Sequence, residues 1–73
     1  RPTKIPAMNI VLNGEPRTIE AASSVADLIQ ALGYAGKRVA IERNGEIVPR
    51  SAHQNTLIAH GDRLEIVVAV GGG

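Results

Sequence analysis

The chemistry that this sequence offers is concentrated at its last three residues, Gly71-Gly72-Gly73. They follow an apolar, strand-like run, and glycine accepts backbone conformations that other residues avoid. Such a tail presents an α-carboxylate without neighbouring side chains, and from Val70 it can reach about 13 Å into a partner. ATP can convert a carboxylate into a mixed anhydride, which a sulfur nucleophile then attacks. The residues alone leave a second interpretation open, a terminus without a function.

Other groups capable of catalysis are few. His53 and His60 have no acidic or cysteine partner at metal-ligand spacing, so we interpret them as loop histidines exposed to solvent. The chain has no cysteine and therefore no thiol nucleophile, and its seven carboxylates are scattered, which indicates a solubilising role. It also lacks a glycine-rich phosphate loop. We therefore predict a protein that is not an enzyme and binds no metal or cofactor of its own.

The charge balance argues against nucleic acid as a partner. The formal charge is +1, but residues 1–7 carry two of the eight basic side chains, and residues 8–73 carry six basic against seven acidic ones, a net charge of −1. We expect residues 1–7 to be a disordered leader or expression remnant and Met8 to be the natural start. No apolar run approaches the roughly 20 residues that span a bilayer, so we expect no membrane contact and a cytoplasmic location.

The first element that must position the tail is a hairpin. Residues 8–13 form an apolar run of strand formers, and Asn13-Gly14 follows at once. Both positions of that dipeptide tolerate positive φ, as a type I′ turn requires. Residues 16–20 then predict the returning strand, with Pro16 near its start, where a missing N–H is tolerated.

A single amphipathic helix is predicted next. Ser23 or Ser24 is a suitable N-cap, Asp27 complements the positive end of the helix dipole, and Gly33 is placed to end the helix. The stripe that would face the core has spacing i, i+3, i+4 and i+7, and consists of Val25, Leu28, Ile29 and Leu32.

The remainder of the chain predicts three more strands and a loop. These lie at residues 37–43, 46–48 and 63–70, with a turn at Asn44-Gly45, a loop at 50–60 that holds a helical turn near 52–55, and a turn at Gly61-Asp62. The order β-β-α-β-β-β predicts an α+β fold in which one helix packs on a mixed sheet of four to five strands. Tyr34 is the sole aromatic residue, so the core must consist of aliphatic side chains.

The last strand also predicts a surface that could bind a partner protein. If its alternate residues Leu64, Ile66 and Val68 face the helix, then Val67 and Ala69 point outward beside Glu65. An outward apolar face just before the tail predicts a partner-binding site at Val67, Ala69 and Val70. The alternative is that these strand residues are apolar without a binding role.

The order and spacing of these motifs resemble the ThiS family, small sulfur carriers of thiamine thiazole synthesis with a ubiquitin-like β-grasp fold. The resemblance spans residues 8–73. It is carried by Met-Asn-Ile-Val-Leu-Asn-Gly at 8–14, Val-Ala-Asp-Leu-Ile at 25–29, Asn-Gly-Glu-Ile-Val-Pro-Arg at 44–50, Gly-Asp-Arg-Leu-Glu-Ile-Val at 61–67 and Ala-Val-Gly-Gly-Gly at 69–73. It implies a β-grasp domain at residues 8–70 and a flexible tail at 71–73.

The resemblance also implies a mechanism. The carboxylate of Gly73 would be adenylated by an E1-like adenylyltransferase that uses ATP and magnesium, and then converted to a thiocarboxylate. The sulfur would come from a donor such as a cysteine desulfurase, and thiazole synthase would receive it. Gly72 would give the tail clearance, and Gly71 would act as a hinge.

Three other interpretations remain. The small subunit of molybdopterin synthase is also a β-grasp sulfur carrier ending in Gly-Gly, but its acceptor differs. A protein modifier that forms isopeptide bonds would use the same adenylate and pass through a thioester. A β-grasp interaction module with an inert terminus would need no chemistry at Gly73.

Overall fold

The computed structural model describes residues 6–69, and the glycine tail, Val70 and residues 1–5 lie outside it. Its elements are β1 (Ala7–Leu12), β2 (Glu15–Glu20), α1 (Val25–Ala31), β3 (Val39–Arg43), β4 (Glu46–Ile47), a 3-10 turn (Arg50–Ala52) and β5 (Arg63–Val68). The strands form one five-stranded sheet in the order β2-β1-β5-β3-β4. The predicted α+β class and the order β-β-α-β-β-β are confirmed.

Two Asn-Gly dipeptides make the tight hairpin turns as predicted. Asn13 and Gly14 have φ values of 50° and 82°, and they connect the antiparallel strands β1 and β2. Asn44 and Gly45 have φ values of 52° and 86° between β3 and β4. Positive φ at both central residues is the signature of the type I′ turn, whose twist matches that of the flanking strands.

Helix α1 is capped at both ends by local interactions. Ser24 is the N-cap: its Oγ accepts the N–H of Asp27 at 3.0 Å, and the Asp27 carboxylate accepts the N–H of Ser24 at 2.9 Å. At the other end, Gly33 has a φ of 82°, and the N–H of Tyr34 donates to Ile29 O. The structure thus selects Ser24 from the two predicted N-cap candidates and adds a capping box that was not predicted, while the predicted glycine C-cap is confirmed.

The loop at 50–60 supplies the remaining partners of the helix start. The N–H of Val25 donates to Thr56 O, and that of Ala26 donates to His53 O, so the loop carbonyls satisfy the first two helical amides. The 3-10 turn begins at Arg50 rather than near Ala52. It starts earlier than predicted because the Pro49 carbonyl already accepts the N–H of Ala52.

Strand β5 is at the centre of the sheet, parallel to β1 and antiparallel to β3. The core lies between this sheet and α1, and its buried members are all aliphatic or methionine: Met8, Ile10, Leu12, Val25, Leu28, Ile29, Ile41, Val48, Ile58, Leu64 and Ile66. The predicted stripe of α1 contributes three of them, while Leu32 is half-buried. The last element before the tail is therefore the one most enclosed by neighbouring strands.

Candidate functional site

Strand β5 carries the chain from the core to the tail. Its residues alternate as predicted, with Leu64 and Ile66 buried and Val68 half-buried on the inner face. On the β3 side, pairing continues to the end of the strand, where Val68 lies opposite Val39. Just beyond it, the N–H of Ala69 donates to Arg38 O at 2.9 Å. The backbone is thus held until the last described residue before the tail.

Asn13 holds β5 from the opposite side. Its Oδ1 accepts the N–H of Ile66 at 2.8 Å, and its Nδ2 donates to Ile66 O at 3.3 Å. The main chain turns away from β5 here, into the β1–β2 hairpin. The Asn13 side chain therefore makes the hydrogen bonds to β5 that a further residue of β1 would otherwise make. The sequence predicts Asn13 only as a turn residue, because nothing local points to a partner 53 positions away.

Asp62 holds the beginning of β5. Its carboxylate accepts Arg43 Nε at 2.6 Å, Asn44 Nδ2 at 3.0 Å and the N–H of Ala59 at 2.8 Å. The residue is only 6% exposed. A solubilising role is therefore wrong for Asp62, because this carboxylate is buried and accepts three hydrogen bonds, two of which link the start of β5 to Arg43 and Asn44 at the β3–β4 turn.

The surroundings of Asp62 favour its charged form. Burial raises the pKa of this carboxyl, but the hydrogen bonds from Ala59, Asn44 and Arg43, and the attraction of the Arg43 guanidinium, outweigh burial. The pKa of Asp62 is consequently lower than its ordinary value. The carboxylate belongs to the scaffold that holds β5 and lies away from the tail end of the strand.

The outer face of the sheet is where the predicted partner-binding residues lie. Val67 is 66% exposed, Ala69 is also exposed, and Val67 pairs across the sheet with the exposed Ala40. We call Ala40, Val67 and Ala69 the outer apolar patch. The exposed Glu65 and Glu42, directly opposite each other, border it. The third predicted binding residue, Val70, and the predicted Gly71, Gly72 and Gly73 lie outside the described residues.

Both histidines hydrogen-bond to the backbone, which their sequence context does not indicate, and the predicted solvent exposure is wrong for His53. His53 is half-buried, and its Nε2 lies 3.1 Å from Val48 O, so the Nε2–H tautomer donates to that carbonyl. His60 is exposed, as predicted, but its Nδ1 accepts the N–H of Asn9 at 3.1 Å. Within residues 6–69, no group of three or more His, Asp or Glu side chains is placed to hold a metal ion.

Helix α1 has seven residues, and no helix in the part of the chain that the structure describes is long and apolar enough to cross a membrane.

The chain is similar in fold to solved structures and in sequence to curated relatives. A crystal structure of the thiamine biosynthesis protein ThiS from Geobacter metallireducens superposes with a TM-score of 0.77 and 36% identity, covering 90% of this chain and all of that one. Thiazole synthases from Paramagnetospirillum magneticum and Magnetococcus marinus are 46% and 39% identical over 66 residues, 90% of this chain. The uncharacterized protein ycf40 of Porphyra purpurea is 35% identical, and the match covers 93% of its length.

These matches differ in how much of the relative they cover. The chain spans only 20% of the length of each of the two thiazole synthases, so a segment similar to it is part of a longer protein there. A model of the ThiS family matches residues 10–73, a range that includes β5 and the glycine tail. The chain belongs to the ThiS family.

Proposed function

We propose that this chain is a sulfur carrier of thiamine biosynthesis and that the carboxylate of Gly73 is its reacting group. The observation that carries the proposal is the extent of the family match, which continues from β1 through Gly73. The geometry ahead of the tail supports it: Asn13 holds β5 at Ile66 on one side, and β3 with Arg38 holds the chain up to Ala69 on the other. A rigid strand that leads into three glycines suits a carrier whose terminus has to enter another protein's active site.

In the proposed reaction, a carboxylate oxygen of Gly73 attacks the α-phosphorus of ATP, and pyrophosphate leaves. The product is an acyl adenylate, a mixed anhydride with AMP as leaving group. A persulfide sulfur on the donor then attacks the acyl carbon and displaces AMP, which gives an acyl disulfide with the donor. A thiol attacks the donor's sulfur in that disulfide and breaks the S–S bond, so the thiocarboxylate leaves with the electron pair and the thiol forms a disulfide with the donor. The ATP and magnesium are bound by an E1-like adenylyltransferase, and the sulfur comes from a donor such as a cysteine desulfurase.

The acceptor in this proposal is thiazole synthase. Two relatives that carry this name contain a segment similar to this chain within a longer protein. A permanent covalent link between such a segment and the synthase is useful if the two act on one another, because it raises their effective concentration. This supports thiazole synthase, rather than molybdopterin synthase, as the recipient of the sulfur.

The chain is proposed to act as a co-substrate that does not catalyse the reaction. Among the described residues, the buried carboxylate of Asp62 is occupied by three hydrogen-bond donors, and His53 and His60 bond to the backbone. A catalytic acid or base has to reach a substrate proton, and these groups are committed to the scaffold instead. The catalytic groups are accordingly assigned to the partner enzymes.

The outer apolar patch is proposed as the surface that meets these partners beside the tail. Val67 lies in β5 and Ala69 follows the strand directly, so a protein that encloses the tail also covers them. Val70, the next residue, is included in the proposed contact. A large exposed valine next to a reacting terminus is a suitable centre for a small docking contact.

The proposal is tested by the intact mass of the chain after incubation with an E1-like adenylyltransferase, ATP, magnesium and a sulfur donor. We expect the exchange of one oxygen for sulfur, located in the C-terminal peptide. A variant with one alanine added after Gly73 should stay unmodified. The matched control has one alanine added at the N-terminus, and it should react like the parent.

Two outcomes would contradict the carrier function. One is an unchanged mass with an enzyme that modifies its own cognate carrier in the same assay. The other is equal modification of the variant that is extended after Gly73. The second outcome would place the reaction elsewhere in the chain, and the first would favour an interaction module with an inert terminus.

A further inference from the structure

A cleft of about 700 Å³ lies beside helix α1. It is formed by Ala26, Ile29 and Gln30 of α1, by residues 34–39, which lead into β3, and by the segment that begins at Arg50 and ends at Gln54. Ile29, Tyr34 and Val39 provide its apolar surface. Its volume is within the range of sites that bind ligands or short segments of other proteins.

The charge of this cleft is unlike that of the rest of the domain. Lys37, Arg38 and Arg50 line it together with His53, and no Asp or Glu is among its lining residues. Residues 6–69 carry six basic and seven acidic side chains, so the cleft collects half of the basic ones in a domain with a net charge of −1. We call Lys37, Arg38 and Arg50, with the cleft between them, the basic cleft.

The backbone around the basic cleft is held by short hydrogen-bonded turns. The N–H of Lys37 donates to Tyr34 O across a turn in which Gly36 has a φ of 83°. Positive φ at the third residue is typical of a type II turn, and glycine adopts it without strain. Arg50 begins the 3-10 turn, whose Arg50 O accepts the N–H of His53. Lys37 and Arg50 therefore extend from segments whose backbone is held by hydrogen-bonded turns.

The exposure of these cations indicates what kind of ligand they attract. Lys37, Arg38 and Arg50 are all exposed, so none of them provides the buried, preorganised contact that a small anion needs for tight binding. A cluster of exposed cations acts instead by attracting and orienting an acidic protein surface. The arginines can in addition bind carboxylates through two parallel hydrogen bonds.

The basic cleft also adjoins the point where the tail leaves the domain. Arg38, one of its three cations, accepts the N–H of Ala69 through its backbone carbonyl. A protein that takes up the tail therefore passes close to Arg38.

We propose that the basic cleft docks an acidic segment of the protein that receives the tail. The identity of that partner as a tail-receiving enzyme rests on the proposed function, while the preference of the cleft for acidic protein segments does not.

The test measures binding of a hexaglutamate peptide to the full chain by ¹H–¹⁵N NMR at low ionic strength, with hexalysine and Mg-ATP as comparison ligands. We expect saturable shifts at the amides of Gly36, Lys37, Arg38 and Arg50 with hexaglutamate. The variant Lys37→Glu/Arg50→Glu should bind the peptide about tenfold more weakly. The matched control Arg17→Glu/Arg63→Glu makes the same change in net charge outside the cleft, and its affinity should stay within about twofold of the parent.

Three results would overturn the proposal. The first is the absence of saturable shifts at the cleft. The second is equal weakening in both double variants, which would mean that net charge alone matters. The third is tighter binding of Mg-ATP than of hexaglutamate, which would assign the cleft to a nucleotide. Because this assay does not involve Gly73, a failed docking proposal and a failed carrier function give separate results.

Discussion

The carboxylate of Asp62 joins segments that are distant in the sequence. It connects the beginning of β5 with Arg43 and Asn44 at the end of β3, and with the backbone of Ala59. Asn44 continues the link, because its Oδ1 accepts the N–H of Arg63 at 2.9 Å. One acidic side chain thus fixes the position at which β5 begins, and β5 leads from there toward the tail.

Substituting Asp62→Asn should lower the free energy of unfolding at neutral pH by about 2 kcal/mol. The amide keeps the size of the side chain but loses the ion pair with Arg43, and its NH₂ group replaces one of two acceptor oxygens. Urea unfolding at pH 7 measures the effect. Glu65→Gln is the control: Glu65 is exposed, so its change should stay within about 0.5 kcal/mol. Equal losses in the two variants would contradict the role given to Asp62.

The same carboxylate predicts how stability depends on pH. Because the pKa of Asp62 is lower in the folded state, its contribution to stability is fully present above the ordinary pKa of the unfolded state, about 3.9. The contribution is lost as the pH falls through the lower, folded-state pKa. The difference in unfolding free energy between the parent and Asp62→Asn should therefore shrink below about pH 4. A difference that stays constant down to strongly acidic pH would contradict this assignment.

At the scale of elements, helix α1 depends on its caps and on tertiary contacts. It has seven residues, too few to be stable alone. Its first three amides are all satisfied from outside the helical ladder, by Thr56 O, His53 O and Ser24 Oγ. The loop at 50–60, which has no clear hydrophobic period, therefore forms part of the N-terminal cap of the helix.

Ser24→Ala should destabilise the domain by about 1 kcal/mol, because it leaves the N–H of Asp27 without its acceptor and disrupts the capping box. Thermal unfolding followed by circular dichroism measures the change. Ser23→Ala is the matched control, one residue away: its hydroxyl donates to Glu20 O at an exposed position, so its loss should cost less. A larger effect at Ser23 would mean that the helix begins one residue earlier.

At the scale of the whole molecule, the residues that stabilise the fold are different from the residue proposed to react. Every buried apolar residue of the described core lies between Met8 and Ile66, whereas the proposed reacting group is Gly73. Changes to the core should therefore affect folding, and changes to the tail should affect only the reaction with partners.

We expect Leu28→Ala to cost about 2–5 kcal/mol of unfolding free energy, since Leu28 is 2% exposed in a small core. Deleting Gly72 and Gly73 should leave that free energy unchanged but abolish conversion to the thiocarboxylate. Urea unfolding and intact-mass measurement on both variants test the pair of expectations. Similar losses of stability in both variants would show that the tail packs against the domain.

The sequence by itself determined the features whose causes lie within a few residues. The Asn-Gly turns follow from the positive φ that both positions adopt, and the helix ends follow from the Ser24 cap and Gly33. Alternation in β5 likewise predicted which of its side chains are buried, and the order of the motifs pointed to the ThiS family. These signals are local because backbone conformation and capping depend on near neighbours.

Only the tertiary structure decided which distant residues meet. The bridge from Asn13 to Ile66, the contacts of Asp62 and the assembly of Lys37, Arg38 and Arg50 around one cleft depend on how the sheet brings separate segments together. Residue type alone does not identify the partners of such side chains. The sequence around Asp62 is typical of an exposed turn, and the sequence around Asn13 is typical of a hairpin turn. Their roles arise because β5 lies between β1 and β3: the side chain of Asn13, directly after β1, reaches the backbone of Ile66, and the carboxylate of Asp62, directly before β5, reaches Arg43 at the end of β3.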